Sequence, residues 1–297
     1  MPKRTICIQN AASLSIKNDA LSICQHGELR GLIPLEDIWV LIIETHQAQI
    51  TTAALSRLVD AGIGVMLCGE DHMPNGLLLS LGAHSRHAAI VDNQLAISKP
   101  LQKRLWQRVV QAKITNQATV VDLLGLDGSA VRAMAKEVLS GDTSNRESVA
   151  ASAYFKKILP EGSRRNGPFT AALDYGYAVL RAGIGRTAVS GGWLVSRGIH
   201  HSNNLNPFNL VDDLIEPFRP VVDLVVIQRG LGGDLTSDAK RELASIFEYL
   251  VRVPFGDAPM QTAIENELET LKNAVNEANP ALLELPAVIP LRKMGLE

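Results

Sequence analysis

The chain has 297 residues, 46% of them apolar and 20% charged, with a formal net charge of −2. That balance excludes a disordered chain and a globally basic nucleic-acid binder, and no apolar run approaches the roughly 18 to 20 residues that span a bilayer. The length exceeds what one core usually serves, so two domains are expected.

In chain order, the basic start at Lys3 and Arg4 leads into alternating, strand-like sequence instead of a signal segment. Cys7, Cys24 and Cys68 are odd in number, lie in apolar segments and lack metal-ligand spacing, which reads as reduced core thiols of a cytoplasmic protein. Polar–apolar alternation over 13–17 and 20–24, with Asn18 and Asp19 between, predicts a hairpin with one buried face. Further strands are expected over 29–33, 38–43 and 63–68, with one short helix over 52–60. His26, His46 and His72 stand alone and read as structural or solvated. Between Gly82 and His87 the period changes from two to helical, which places a domain boundary there. Pro100 suits a first helical turn, and Leu101, Leu105, Val109 and Ala112 follow at helical spacing. More helices are expected over 127–139, 144–159, 169–180 and 237–250, and the tail, with Ile264, Leu268, Leu271 and Val275, is another. The fold class is therefore α+β: a small β-sandwich-like N-terminal domain over 1–84 and a larger all-α domain over 85–297.

Chemistry concentrates in HHSNNLNPFNLVDDLIEPFRPVVD, residues 200–223. A helix over 208–218 would set Asp212, Asp213 and Glu216 along one edge. Clustered carboxylates repel unless a cation lies between them, and a histidine from the preceding loop would complete a mixed nitrogen and oxygen metal site. One of His200 and His201 is expected to point into such a site. The plainer alternative is a solvated face with Glu216 paired to Arg219 at i+3, against which Val211, Leu214, Ile215 and Phe218 would bury most of the helix. A second stretch, NRESVAASAYF over 145–155, carries Glu147 in the first turn of a helix. Ser144 and Glu147 also fit S-x-x-E, a capping box, and spacing alone leaves both readings open.

Charge is unevenly spread. Between Ser144 and Arg219 there are nine Lys/Arg against six Asp/Glu, so this middle is basic within an acidic whole. Arg146, Lys156, Lys157, Arg164, Arg165, Arg181, Arg186 and Arg197 form a candidate path for a nucleic-acid backbone, in competition with solvated charge around a turn at Pro160 and Gly162.

Taken together, NRESVAASAYF, AALDYGYAVLRAGI and GIHHSNNLNPFNLVDDLIEPFRPVVD resemble the CRISPR-associated integrase Cas1, which acts in spacer acquisition for antiviral defense. The wording is most like the type II branch, whose systems carry the effector nuclease Cas9. The resemblance implies a β domain followed by a helical catalytic domain. It implies Glu147, His201 and Glu216 as catalytic metal ligands, with Asp213 and His200 in support, and Mg²⁺ or Mn²⁺ as cofactor. It further implies transesterification of spacer 3′-hydroxyl ends into the CRISPR repeat, with endonuclease activity as the related hydrolysis. The implied partners are pre-spacer and repeat DNA, a second copy of the chain, a Cas2 dimer bridging two such dimers, and other type II adaptation proteins including Cas9. The N-terminal strand edges and the apolar run at 39–43 are the expected dimerisation surface. Two other functions compete: a structure-selective metal-dependent DNA nuclease with no integration role, and a non-catalytic DNA-binding scaffold.

Overall fold

Asn18 and Asp19 both take positive φ, 51° and 56°, the backbone of a two-residue hairpin turn whose twist matches its strands. They join β2 (Ser13–Lys17) to β3 (Ala20–Gln25), with Leu14 opposite Ile23 and Ile16 opposite Leu21. The computed structural model, which describes residues 3–81, 84–159 and 164–294, builds two four-stranded sheets around this start. β4 (Glu28–Pro34) flanks β3, and β6 (Gln49–Ile50) runs parallel to β2, giving the order β4-β3-β2-β6. The second sheet has the order β1-β5-β7-β8, from β1 (Arg4–Ile8), β5 (Ile38–Ile43), β7 (Gly64–Cys68) and β8 (Pro74–Leu78). Its first three strands are parallel and β8 is antiparallel. Helix α1 (Thr52–Asp60) connects the sheets, capped by the Thr51 hydroxyl.

β5 explains how the halves are joined. Its run IWVLII is buried at every position, as a strand covered on both faces must be. Ile38, Leu41 and Ile43 enter a core shared with Leu14, Leu21 and Leu58. Trp39, Val40 and Ile42 enter a larger core built mainly by the helices. The apolar run at 39–43 therefore cannot be a dimerisation surface, because both its faces are already covered within the chain. Exposed apolar side chains lie on the outer strand β4 instead, at Leu29 and Leu32.

The helical half begins at α2 (His87–Leu95), at the end of the stretch from Gly82 to His87 over which the domain boundary is expected; of that stretch, Gly82 and Ala83 lie outside the described residues. α3 (Lys99–Leu123) has Pro100 in its first turn and the Ser98 hydroxyl as cap. α4 (Ser129–Lys136) and α5 (Arg146–Ile158) lie against it. α6 (Thr170–Ser190) runs ten residues past the expected stop at Leu180 and meets β7 and β8. Gly183 permits this approach, since a Cβ there would collide with Phe247 and with the Trp39 ring. α7 (Asn209–Leu214) and α8 (Arg219–Gln228) follow. The helix expected over 237–250 stops early: α9 (Ser237–Ala244) gives way to a hairpin of β9 (Leu250–Val253) and β10 (Gly256–Pro259) before α10 (Met260–Asn276). The turn expected at Pro160 and Gly162 lies outside the described residues. None of the described helices is long and apolar enough to cross a membrane.

Candidate active site

The single helix expected over 208–218 is two helices joined by an elbow. Pro217 has no N–H to donate and disfavours helical backbone at Glu216, so α7 ends at Leu214 and α8 restarts at Arg219, with Pro220 in its first turn. Asn116 of α3 donates to the carbonyl of Pro217 at 2.8 Å and anchors the elbow. Leu214, Ile215 and Phe218 are buried around it, each contributing about 1.5–3 kcal/mol. The elbow sends the three carboxylates in different directions, and they do not share one edge.

Asp212 takes a two-pronged ion pair with Arg181, at 2.6 and 2.9 Å, and a hydrogen bond from Asn206. Asp213 is fully buried and gathers the preceding loop. Its carboxylate accepts the backbone N–H groups of Ile199 at 2.5 Å, His200 at 3.0 Å and His201 at 3.1 Å, and Nδ1 of His201 lies 2.7 Å from Oδ1. Gly198 makes room for this, since a Cβ there would stand 2.5 Å from both Asp213 Oδ2 and the carbonyl of His201. The Asp213 hydrogen bond raises the pKa of His201 against the opposing effect of burial. His200 stacks on Trp106 of α3, ring centroids 4.3 Å apart, and lies edge-on to the His201 ring at 5.6 Å. The asparagines knit the loop: Asn209 donates to the carbonyls of Ser196, Asn203 and Asn206.

Glu216 lies at the elbow, and Glu147 comes to it from the first turn of α5. The capping box is not formed. Asn145 occupies the cap in a left-handed conformation (φ 53°), and Asp142 accepts the N–H groups of Arg146 and Glu147 at 2.8 and 3.0 Å. The Glu147 side chain is thereby free to meet Lys113 of α3, Nζ to Oε1 2.6 Å. Lys113 Nζ also pairs with Glu216 Oε2, while Arg219 Nε holds Oε1 of Glu216 at 3.1 Å. Burial opposes charge on Lys113, but Glu216 and Glu147 outweigh it and raise its pKa. Burial likewise opposes the Glu216 carboxylate, and Lys113 and Arg219 prevail in lowering its pKa. In this arrangement the carboxylates are engaged by Lys113, and among the described residues no three His, Cys, Asp or Glu side chains are close enough to hold a metal ion.

Behind the elbow, Asp223 is buried between two tyrosine hydroxyls, Tyr154 at 2.7 Å and Tyr177. Burial pushes its pKa up to about 6 although both hydroxyls donate to it. The Tyr177 ring lies between the guanidinium groups of Arg164, at 5.0 Å, and Arg219, at 4.6 Å.

The basic path is divided. Lys156, Lys157, Arg165 and Arg197 are exposed. Arg146 is half-buried and paired with Glu137, and Arg164 is half-buried and paired with Asp174. Arg186 is not on the path: it is buried under the first domain, donates to the carbonyl of Gly62 at 2.7 Å and lies over the Trp39 ring. Sequence reading missed Lys113, Trp106, Asp142 and the Asp223 cluster. Lys113 had a signal, a lone charge on the buried stripe of α3 that runs through Trp106, Val109, Val110 and Gln117.

The family described as CRISPR associated protein Cas1 matches residues 6–240 of the chain. A CRISPR-associated endonuclease Cas1 of Neisseria meningitidis serogroup C is 41% identical over the whole of both chains. In structure, the chain is similar to a casposase bound to its integration product, with a TM-score of 0.75, 17% identity and coverage of 94% of this chain and 91% of that one. It is also similar to a chain of a Cas6-RT-Cas1–Cas2 complex, with a TM-score of 0.74, 19% identity and coverage of 95% and 36%. With the match spanning most of its length and a full-length relative at this identity, the chain belongs to the Cas1 family of CRISPR-associated endonucleases.

Proposed function

We propose that this chain is a metal-dependent DNA integrase and endonuclease of CRISPR adaptation, which joins the 3′-hydroxyl ends of spacer DNA to the CRISPR repeat by transesterification. The observation that carries this reading is the convergence of Glu147 and Glu216, from two separate helical segments, on one cationic centre, the Lys113 ammonium. That ammonium stands in for a divalent ion. Glu147, Glu216 and the His201 imidazole are a donor set suited to Mg²⁺ or Mn²⁺, the imidazole favouring Mn²⁺. When bound, the ion supplies Lewis acidity to the scissile phosphate and stabilises the leaving oxygen.

The chain's own side chains prepare the site. Asp213 accepts a hydrogen bond from the Nδ1–H of His201 and leaves Nε2 as the ligating nitrogen, the carboxylate–histidine pairing that orients metal-bound imidazoles. Arg219 holds Glu216 and, with its side chain 29% exposed, offers its outer N–H groups to a phosphate oxygen. In the joining step the spacer 3′-oxygen loses its proton and bonds to phosphorus, while the bond from phosphorus to the flanking strand's oxygen breaks and that oxygen takes up a proton. No covalent enzyme intermediate is involved. Lys156, Lys157, Arg165 and Arg197 are assigned to DNA contact, with Arg146 and Arg164 at the margin.

We assign as partners DNA, a second copy of the chain through the β4 edge with its exposed Leu29 and Leu32, and a Cas2 dimer bridging two such dimers. The Cas1–Cas2 assembly of the similar structure supports the last. Cas9 is a further candidate from the type II resemblance. The test is to combine the chain with Cas2, a pre-spacer with free 3′-hydroxyls and a repeat-bearing plasmid. Joined product is expected only with a divalent ion, and Glu216→Ala is expected to lower its rate about a thousandfold or more. Joining that survives chelation or Glu216→Ala contradicts the proposal. Ends lacking the 3′-hydroxyl are expected to stop joining while hydrolysis persists; a wild-type protein that only cuts is a structure-selective nuclease.

A further inference from the structure

Lys113 is set in the buried stripe of α3, its side chain 11% exposed, and its ion-pair partners among the described residues are Glu147 and Glu216. With Arg219 on the other oxygen of Glu216, the two carboxylates already face two cations. A divalent ion on the same pair of oxygens would occupy the space that the ammonium fills, since Mg²⁺–oxygen distances are about 2.0–2.1 Å and Lys113 Nζ lies 2.6 Å from Glu147. Both cations cannot be held there, so loading is an exchange. Lysine is built for it, with a point charge on a flexible four-carbon stem. The freed ammonium then needs an anion, because a buried charge without a partner is costly. Arg219 adds a second positive group beside the same space, so the charge that enters with the ion calls for an incoming anion as well.

On the metal-site reading given above, we infer that Lys113 is a placeholder cation: it keeps the Glu147–Glu216 pair assembled in the metal-free protein and moves onto a DNA phosphate when a divalent ion loads. Metal and DNA therefore bind cooperatively at this site. In the free protein the lysine competes with the metal; at the DNA it neutralises the phosphate that the metal also contacts. Because coupling between two ligands is reciprocal, each raises the affinity for the other by the same factor.

Calorimetric titration of Mn²⁺ into the full chain tests this, with and without a branched DNA whose 3′ ends carry no hydroxyl, so that no joining occurs. For the wild type, the DNA is expected to tighten Mn²⁺ binding about fivefold or more. Lys113→Met is expected to tighten DNA-free Mn²⁺ binding about tenfold and to remove most of the coupling. In chelator, the same variant should melt at a lower temperature than wild type and recover with Mn²⁺, because its carboxylates repel until an ion separates them. Lys113→Gln, which keeps a neutral donor between the carboxylates, provides a second variant if Lys113→Met does not fold. Wild-type Mn²⁺ affinity that ignores DNA overturns the inference without any variant. So does a Lys113 variant that binds Mn²⁺ no tighter than wild type while Glu216→Gln abolishes binding; the metal site then stands and the placeholder role falls. If Mn²⁺ binding is unaffected by Glu216→Gln, the metal reading itself falls.

Discussion

Asp213 shows how much of the site depends on one side chain that has no reason to touch DNA. Buried and bonded to three successive N–H groups and the His201 ring, it sets both the path of the loop and the exposed nitrogen of the imidazole. Asp213→Asn is expected to lower Mn²⁺ affinity about 10- to 100-fold, the usual cost of losing a ligand's supporting carboxylate, read by titration; an unchanged affinity argues against His201 as a ligand. Spacing alone set Asp213 among the clustered carboxylates near Glu216, and its supporting role followed only from the family resemblance, because the hydrogen bonds it accepts from residues 199–201 belong to the folded loop. Lys113 was only half legible: its place on the apolar stripe of α3 marks a buried charge, but nothing in a single sequence says that this stripe faces the carboxylates. Asp223 supplies a pH prediction. Its folded pKa of about 6 lies above the ordinary value of 3.8, so the folded state holds the proton more tightly. Stability from this group is complete below about pH 4 and is lost as pH rises towards 6, by about 3 kcal/mol relative to a non-titrating residue. Urea unfolding at pH 4 and pH 7 should show that drop for wild type against Asp223→Asn; parallel behaviour of the two contradicts it.

At the scale of elements, the elbow between α7 and α8 is the feature on which the site turns. Two prolines in EPFRP were visible in the sequence, yet amphipathic spacing over 208–218 favoured one helix, and the break was lost. The helix expected over 169–180 is too short by ten residues, and in the added part of α6 Gly183 is a contact point where the helix meets the Trp39 and Phe247 rings. β8 was missed because Pro74 and Gly76 interrupt any alternation, and its place is fixed by pairing with β7. The hairpin, β5 and α1 were legible because their signals are local. α10 carries a cost that the sequence concealed within a regular helical pattern. Glu267 is fully buried, and neither carboxylate oxygen has a hydrogen-bond partner among the described residues. Burial raises its pKa well above the ordinary value, so it destabilises the fold progressively as pH rises above the unfolded value near 4. Glu267→Gln is expected to stabilise the protein by about 1–3 kcal/mol at pH 7, with the gain fading towards pH 4 in denaturant titrations. A loss of stability at pH 7 shows that the carboxylate has a partner in solution.

For the whole molecule, the sheet containing β5 separates two cores and gives the helical half a rigid wall. Lys240 of α9 reaches Glu44, just beyond β5, and Gln9 donates to the carbonyl of Ser237 at 3.0 Å, so polar contacts as well as apolar ones fasten the halves together. The change of period near residue 85 announced the two kinds of structure, but local patterns carry no information on how tightly one is joined to the other. Within the helical half, α3 carries Lys113 and Trp106 and anchors the elbow, while α5 and the α7–α8 elbow bring the carboxylates to it. The central claim is that these elements form a single metal centre from Glu147, His201 and Glu216. The most direct measurement is anomalous scattering from a crystal of the protein soaked in Mn²⁺. A single manganese peak within about 2.0–2.3 Å of both carboxylates and His201 Nε2, with Lys113 withdrawn from the pair, is the result predicted. No peak, or one that leaves Glu147 and Glu216 still bound to Lys113, would contradict it.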